Sequence, residues 1–174
     1  MSAKQGNSNN RIIRLCIYAV LVAVCLVIGY VESLLQLSFI APGVKIGLSN
    51  AVACVLIING DVKGAFAVNI SRILLSALLF GSPVSLIFAI CGGVLSMCLM
   101  ALFRKSKRLS VIGISALGGA VHNTAQCVAG GFLVGVGVLY YLPILLITGI
   151  LCGTAVGVLS KLVLNRIGQD KKYV

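Results

Sequence analysis

Apolar residues run through this chain in long blocks separated by charges and turn residues. The first block covers residues 12–30, with Arg11 and Arg14 at its start. A loop is predicted from Glu32 to Lys45, around Pro42-Gly43, and a short block over residues 46–59 ends at the Asn59-Gly60-Asp61 turn. The third block, residues 62–80, stops at Gly81-Ser82-Pro83. There Ser82 suits an N-cap and Pro83 the first position of a fourth helix reaching residue 103. After the cluster Arg104, Lys105, Lys107 and Arg108, no Asp, Glu, Lys or Arg occurs between Leu109 and Ser160. One helix needs about 20 residues to cross a bilayer, so this stretch predicts two, with a turn near residues 135–142.

The expected fold is therefore an all-α membrane protein with six transmembrane helices over residues 12–165. A disordered cytoplasmic N-terminus (1–11) and a basic cytoplasmic tail (166–174) flank it. Six crossings with the N-terminus inside place Lys4, Arg11, Arg14, Lys63, the cluster at 104–108, Lys161, Arg166, Lys171 and Lys172 in the cytoplasm. These are all but two of the 14 Lys and Arg residues, as the positive-inside rule asks. Five or seven crossings would put the basic C-terminal segment outside. The exceptions are Lys45, on the outer side, and Arg72, in the middle of the third span.

Composition agrees with lipid as the solvent. The 174 residues are 60% hydrophobic and 10% charged, and the mean hydropathy is +1.14. A soluble domain carries roughly 25% charged residues. The net charge of +11 does not point to nucleic acid, because the cations sit at the ends of apolar blocks, where anionic headgroups attract them. The first apolar run is long for a signal peptide and lacks a small-residue cleavage site before Glu32. Seven cysteines (16, 25, 54, 91, 98, 127 and 152) lie in apolar runs without metal-ligand spacing. They read as small hydrophobes packed between helices, and no disulfide, metal or cofactor is expected.

Small residues recur at helical spacing, Ala19 and Ala23 in the first span and Gly149, Gly153 and Gly157 in the last. Such ridges let helix backbones approach closely in lipid. Polar residues at membrane depth carry the candidate chemistry: Asn50; Asn69, Arg72 and Ser76; and His122, Asn123 and Gln126. Residues 69, 72 and 76 share one helix face, as do 122 and 126. At the helical rise, Arg72 lies about 15 Å and His122 about 18 Å along their helices, and Asn50 about 7 Å below the outer surface. A polar cavity opening outward keeps all of them from lipid. Lys45 and Arg72 suit a carboxylate or phosphate. Two readings of Arg72 stand: a ligand contact, or a structural pair with Glu32 or helix carbonyls. His122 is equally a structural hydrogen-bonding group or a ligand contact.

The stretches Tyr30-Val-Glu-Ser-Leu-Leu35, Ala41-Pro-Gly-Val-Lys-Ile-Gly-Leu-Ser-Asn50, Ser71-Arg72-Ile-Leu-Leu-Ser76 with Phe80-Gly81, Ala116-Leu-Gly-Gly-Ala-Val-His-Asn123 with Gln126, and Leu139-Tyr-Tyr-Leu-Pro143 resemble the Gx transporter family. That family is also called heptaprenyl diphosphate synthase component I. Ser49 stands where alanine is commoner. The family in turn resembles the S components of energy-coupling factor transporters. The resemblance implies six helices with cytoplasmic ends and a vitamin-like ligand near the outer face. It also implies an AxxxA docking motif on the first helix, matched here by Ala19 and Ala23, for a coupling transmembrane subunit. Its members are associated with flavin- and quinone-related functions, an analogy about substrate.

Three functions follow as expectations. The first is a substrate-capture subunit for a small anionic vitamin- or flavin-like ligand arriving from outside. Lys45, Asn50, Arg72, His122, Asn123 and Gln126 would line its pocket. The chain has no phosphate-loop motif, so transport would need separate ATPases and a coupling subunit. The second is a non-catalytic component linked to prenyl diphosphate or quinone synthesis. Prenyl transfer needs clustered aspartates to hold Mg²⁺, and Glu32, Asp61 and Asp170 are widely separated, so no enzyme is expected. The third is a membrane scaffold with no small ligand.

Overall fold

The computed structural model describes residues 2–34, with side chains from residue 11 onward, and residues 47–168. Every regular element among the described residues is helical. These are α1 (Ser2–Leu34), α2 (Asn50–Ile58), α3 (Val62–Phe80), α4 (Pro83–Phe103), α5 (Val111–Leu133) and α6 (Leu142–Ile167), with a 3-10 segment (Val136–Tyr141) before α6. Among the described residues, four stretches are long and apolar enough to cross a membrane: Arg11–Leu34, Val62–Phe80, Pro83–Phe103 and Val136–Ile167. Helix α5 has the length, with 23 residues, but His122, Asn123, Thr124 and Gln126 lower its hydropathy. The protein is a multi-pass, all-α membrane protein. Leu78, Leu102 and Phe132, 82%, 75% and 89% exposed, face outward as lipid-solvated side chains do.

Punctuation in the chain sets several boundaries. Asp61 caps α3, its Oδ1 accepting from Gly64 N at 3.0 Å, and its Oδ2 takes the Tyr18 hydroxyl hydrogen of α1. Ser82 and Ser85 form a reciprocal capping box at the start of α4, with Pro83 at its first position. The expected turn at 135–142 is the 3-10 segment. Three boundaries differ from the pattern. Glu32 lies within the last turn of α1, not in a loop, and α1 begins N-terminal of residue 12. The second span is a nine-residue helix, about 13.5 Å long at the α-helical rise. That is less than half of a hydrocarbon core of about 30 Å.

Helix directions follow from contacts. Tyr18 meets Asp61 at the start of α3, and Tyr30 packs edge-on against Phe80 at its end, ring centroids 6.0 Å apart. So α1 and α3 run parallel. Arg104 at the end of α4 approaches Gly60 just before α3, and Gly92 of α4 abuts His122 and Gln126 while Gly118 abuts Met100. Thus α4 is antiparallel to both α3 and α5. The glycine ridge packs α6 antiparallel to α5. A β-carbon at Gly149 would lie 2.6 Å from Gly119 O, one at Gly153 2.6 Å from Ser115 O, and one at Gly157 2.8 Å from Ile112 Cα. This ridge therefore serves packing within the chain. Together these directions bring Arg11, Arg14, Lys63, Arg104, Lys105, Lys107, Arg108, Lys161 and Arg166 to one end of the bundle. Among the described residues, Arg72 is the cation that lies away from it.

Candidate functional site

The short second helix creates the site. From the Asn59-Gly60-Asp61 turn at the basic end, α2 reaches back nine residues to Asn50. This is about 13.5 Å at 1.5 Å per residue, the same depth as Arg72, ten residues and about 15 Å along α3. Asn50 therefore stands level with Arg72, deeper than the pattern suggested. Before it, Gly47 adopts φ +76, a left-handed conformation that L side chains resist, and Leu48 and Ser49 form a turn. Non-helical backbone at membrane depth is tolerated where protein buries it or a cavity adjoins it, and both hold here. Glu32 at the end of α1 accepts from Leu48 N, and Cys25 Sγ donates to Ser49 O at 3.5 Å.

Arg72 ties this break to α3. Its Nη1 donates to Ser49 Oγ at 2.8 Å, and its Nη2 donates to Asn50 Oδ1 at 3.1 Å and Asn69 Oδ1 at 2.8 Å. Its Nε is buried without a hydrogen-bond partner among the described residues. The guanidinium is thus held by neutral side-chain oxygens, and Glu32, its partner in the structural reading, lines the same cavity. Ser76 Oγ donates to Arg72 O at 2.7 Å, so the 69–72–76 face acts as one unit.

A cavity of about 210 Å³ lies beside these groups. Asn50, Arg72, His122, Asn123 and Gln126 all line it, as do Glu32 and Ser49. Five of the six residues expected from sequence thus share one cavity, contributed by α2, α3 and α5. Lys45 lies outside the described residues. Asn123 is partly committed to the fold, its Nδ2 donating to Leu145 O at 2.8 Å and to Thr148 Oγ1 at 3.4 Å. Ala19 and Ala23 lie elsewhere, exposed on α1, the least buried of the apolar helices.

Several lining residues escaped the pattern. Ser49, the residue that departs from the family's usual alanine, is a direct partner of Arg72; its position beside Asn50 was the available signal. Cys54, Met100, Ser115, Gly118, Cys152 and Val156 line the cavity on the side toward the basic end. Nothing in their apolar context separated them from packing residues. The cysteines also divide: Cys25, Cys54 and Cys127 are buried, whereas Cys16 and Cys98 are exposed and do not pack between helices.

The arrangement can hold an anion. The N-terminus of α2 carries partial positive charge, the guanidinium adds a full charge, and His122 and Gln126 supply hydrogen-bonding groups across the cavity. No match was found among the curated proteins or the solved structures. The family model described as heptaprenyl diphosphate synthase component I matches residues 21–163, and the chain belongs to that family.

Proposed function

We propose that this chain is a membrane-embedded capture subunit, similar to an energy-coupling factor S component, that takes up a small anionic vitamin- or flavin-like ligand from the outer side. One observation carries this reading: a buried guanidinium, held by neutral oxygens at the broken start of α2, lines a cavity with amide and imidazole groups. Arg72 receives the anion, and Asn50, His122 and Gln126 read the ligand's polar edges. Asn123 shapes the wall, and Lys45 adds a second cation for the anion. The chain crosses the cell membrane six times. The basic end, and with it both termini, faces the cytoplasm by the positive-inside rule. Energy comes from separate ATPases through a coupling subunit that docks on the exposed Ala19/Ala23 face.

The test begins with the protein purified alone in mild detergent. Wild type retains a small molecule, visible by native mass spectrometry or, for a flavin, by its absorbance. Arg72→Ala loses it while inserting normally in the membrane. Retention by Arg72→Ala removes Arg72 from the site.

The family's description favours a second reading, a non-catalytic membrane component attached to prenyl diphosphate synthesis. In that case adding this chain to a prenyl diphosphate synthase alters its rate or product length. The capture reading predicts no change.

A further inference from the structure

The cavity is long and its two halves differ. Along α4 its lining runs from Ser85 to Met100, fifteen residues or about 22 Å at the helical rise. The polar groups occupy one level. Gly92 touches His122 and Gln126, and Gly93 touches Asn69 and Ile73, on either side of Arg72. From Gly92 to Met100 on α4, and from His122 to Ser115 on α5, the lining continues another 10–12 Å or so toward the basic end. That lower stretch is walled by Cys54, Met100, Gly118 and Val156, and among the described residues no charged side chain lines it. Ser96 turns its hydroxyl onto Gly93 O at 3.3 Å, which leaves Ser115 as the polar exception. The cavity is also slim, about 210 Å³ over that length, and α4 and α5 close against each other beside it, a β-carbon at Gly118 lying 2.9 Å from Met100 Sδ.

We infer that the ligand is an acidic amphiphile, with its anionic head level with Arg72 and a narrow apolar body extending about 10 Å toward the basic end of the bundle. The inference rests on the capture reading and adds the ligand's shape and polarity. A free inorganic anion would fill the head site and leave an apolar void below it. A uniformly polar solute would bury hydrogen-bonding groups against Cys54, Met100 and Val156 without partners, a loss of about 1–3 kcal/mol each. An apolar body gains from the same walls, about 0.8 kcal/mol per buried methylene.

The experiment titrates the protein in phosphatidylcholine nanodiscs with inorganic phosphate, butyl phosphate and octyl phosphate. Octyl phosphate binds about tenfold or more tighter than butyl phosphate, and Arg72→Gln weakens every phosphate that binds. Val156→Phe, which fills the lower stretch, abolishes the octyl advantage and spares butyl phosphate. Met100→Phe serves as the second filling variant if the first does not insert. Octyl phosphate binding no tighter than butyl, or an octyl advantage that survives both variants as membrane partitioning would, overturns the inference while leaving anion capture standing. Failure of all three phosphates to bind overturns the capture reading itself. Preloading the nanodisc with lysophosphatidic acid separates the sources. Lost octyl phosphate binding assigns the amphiphile to the bilayer, and unchanged binding assigns it to the aqueous side.

Discussion

A cation at the centre of a membrane helix costs about 2.5–3.5 kcal/mol on insertion scales, and at Arg72 hydrogen bonds to Ser49, Asn50 and Asn69 offset that cost. The planar guanidinium reaches three oxygens, on α3, on α2 and on the turn before α2, at once, which a lysine ammonium on its flexible stem cannot match. Arg72→Lys is therefore expected to keep the charge yet lower stability by about 1–3 kcal/mol, measured as a drop in thermal unfolding midpoint in detergent. Asn123 has the opposite balance, because its Nδ2 holds Leu145 O at the start of α6. Asn123→Leu removes one donor from that carbonyl, which Thr148 Oγ1 also meets at 3.1 Å, and should cost about 0.5–1.5 kcal/mol; an unchanged midpoint would show that the hydrogen bond contributes nothing. At this scale the face shared by residues 69, 72 and 76 was legible from spacing. Ser49 was not, because its contact with Arg72 depends on where α2 begins.

The α5–α6 contact is the closest helix pairing. At Gly153 an added β-carbon would meet Ser115 O at 2.6 Å and Ala116 Cα at 2.9 Å, backbone atoms that cannot swing aside. Gly153→Leu should destabilise the protein by about 1–3 kcal/mol or more through overpacking. Gly29→Ala, where nothing lies within 4 Å, should be neutral or gain up to about 1 kcal/mol; equal effects at the two sites would contradict the packing account. Asp61 joins two elements, capping α3 and receiving Tyr18 from α1. Tyr18→Phe and Asp61→Ala should therefore give a double mutant less destabilised than the sum of the two, since both remove one contact. Helices α3 and α4 were legible because Asp61, Gly81, Ser82 and Pro83 punctuate them. The start of α2 was not: residues 46–49 are as apolar as helix, and the break comes from Gly47's backbone and from Glu32, brought to Leu48 N by tertiary packing.

Over the whole molecule, charge is segregated. The described cations other than Arg72 gather at the end of the bundle where α3 and α5 start and α4 and α6 end, so the six-span topology makes a direct prediction. In a cysteine-free background, Ser106→Cys should react with an impermeant maleimide only from the cytoplasmic side, and Val136→Cys, 76% exposed in the wild-type structure, only from outside. The reverse pattern, or reaction of both from one side, would contradict the orientation. Overall helix content and charge placement were legible because the bilayer leaves helices and closed barrels as the viable spanning structures. The cavity's lower half was not, because a cysteine or methionine against a void reads the same as one against a neighbour.

The most direct test of the account is a high-resolution electron cryomicroscopy map of the protein taken from its own membrane without added ligand. The account predicts non-protein density in the cavity, with an acidic group within hydrogen-bonding distance of Arg72 and the remainder passing between Cys54, Met100 and Val156. A cavity closed by side chains, with the guanidinium paired to a carboxylate of the protein itself, would contradict it.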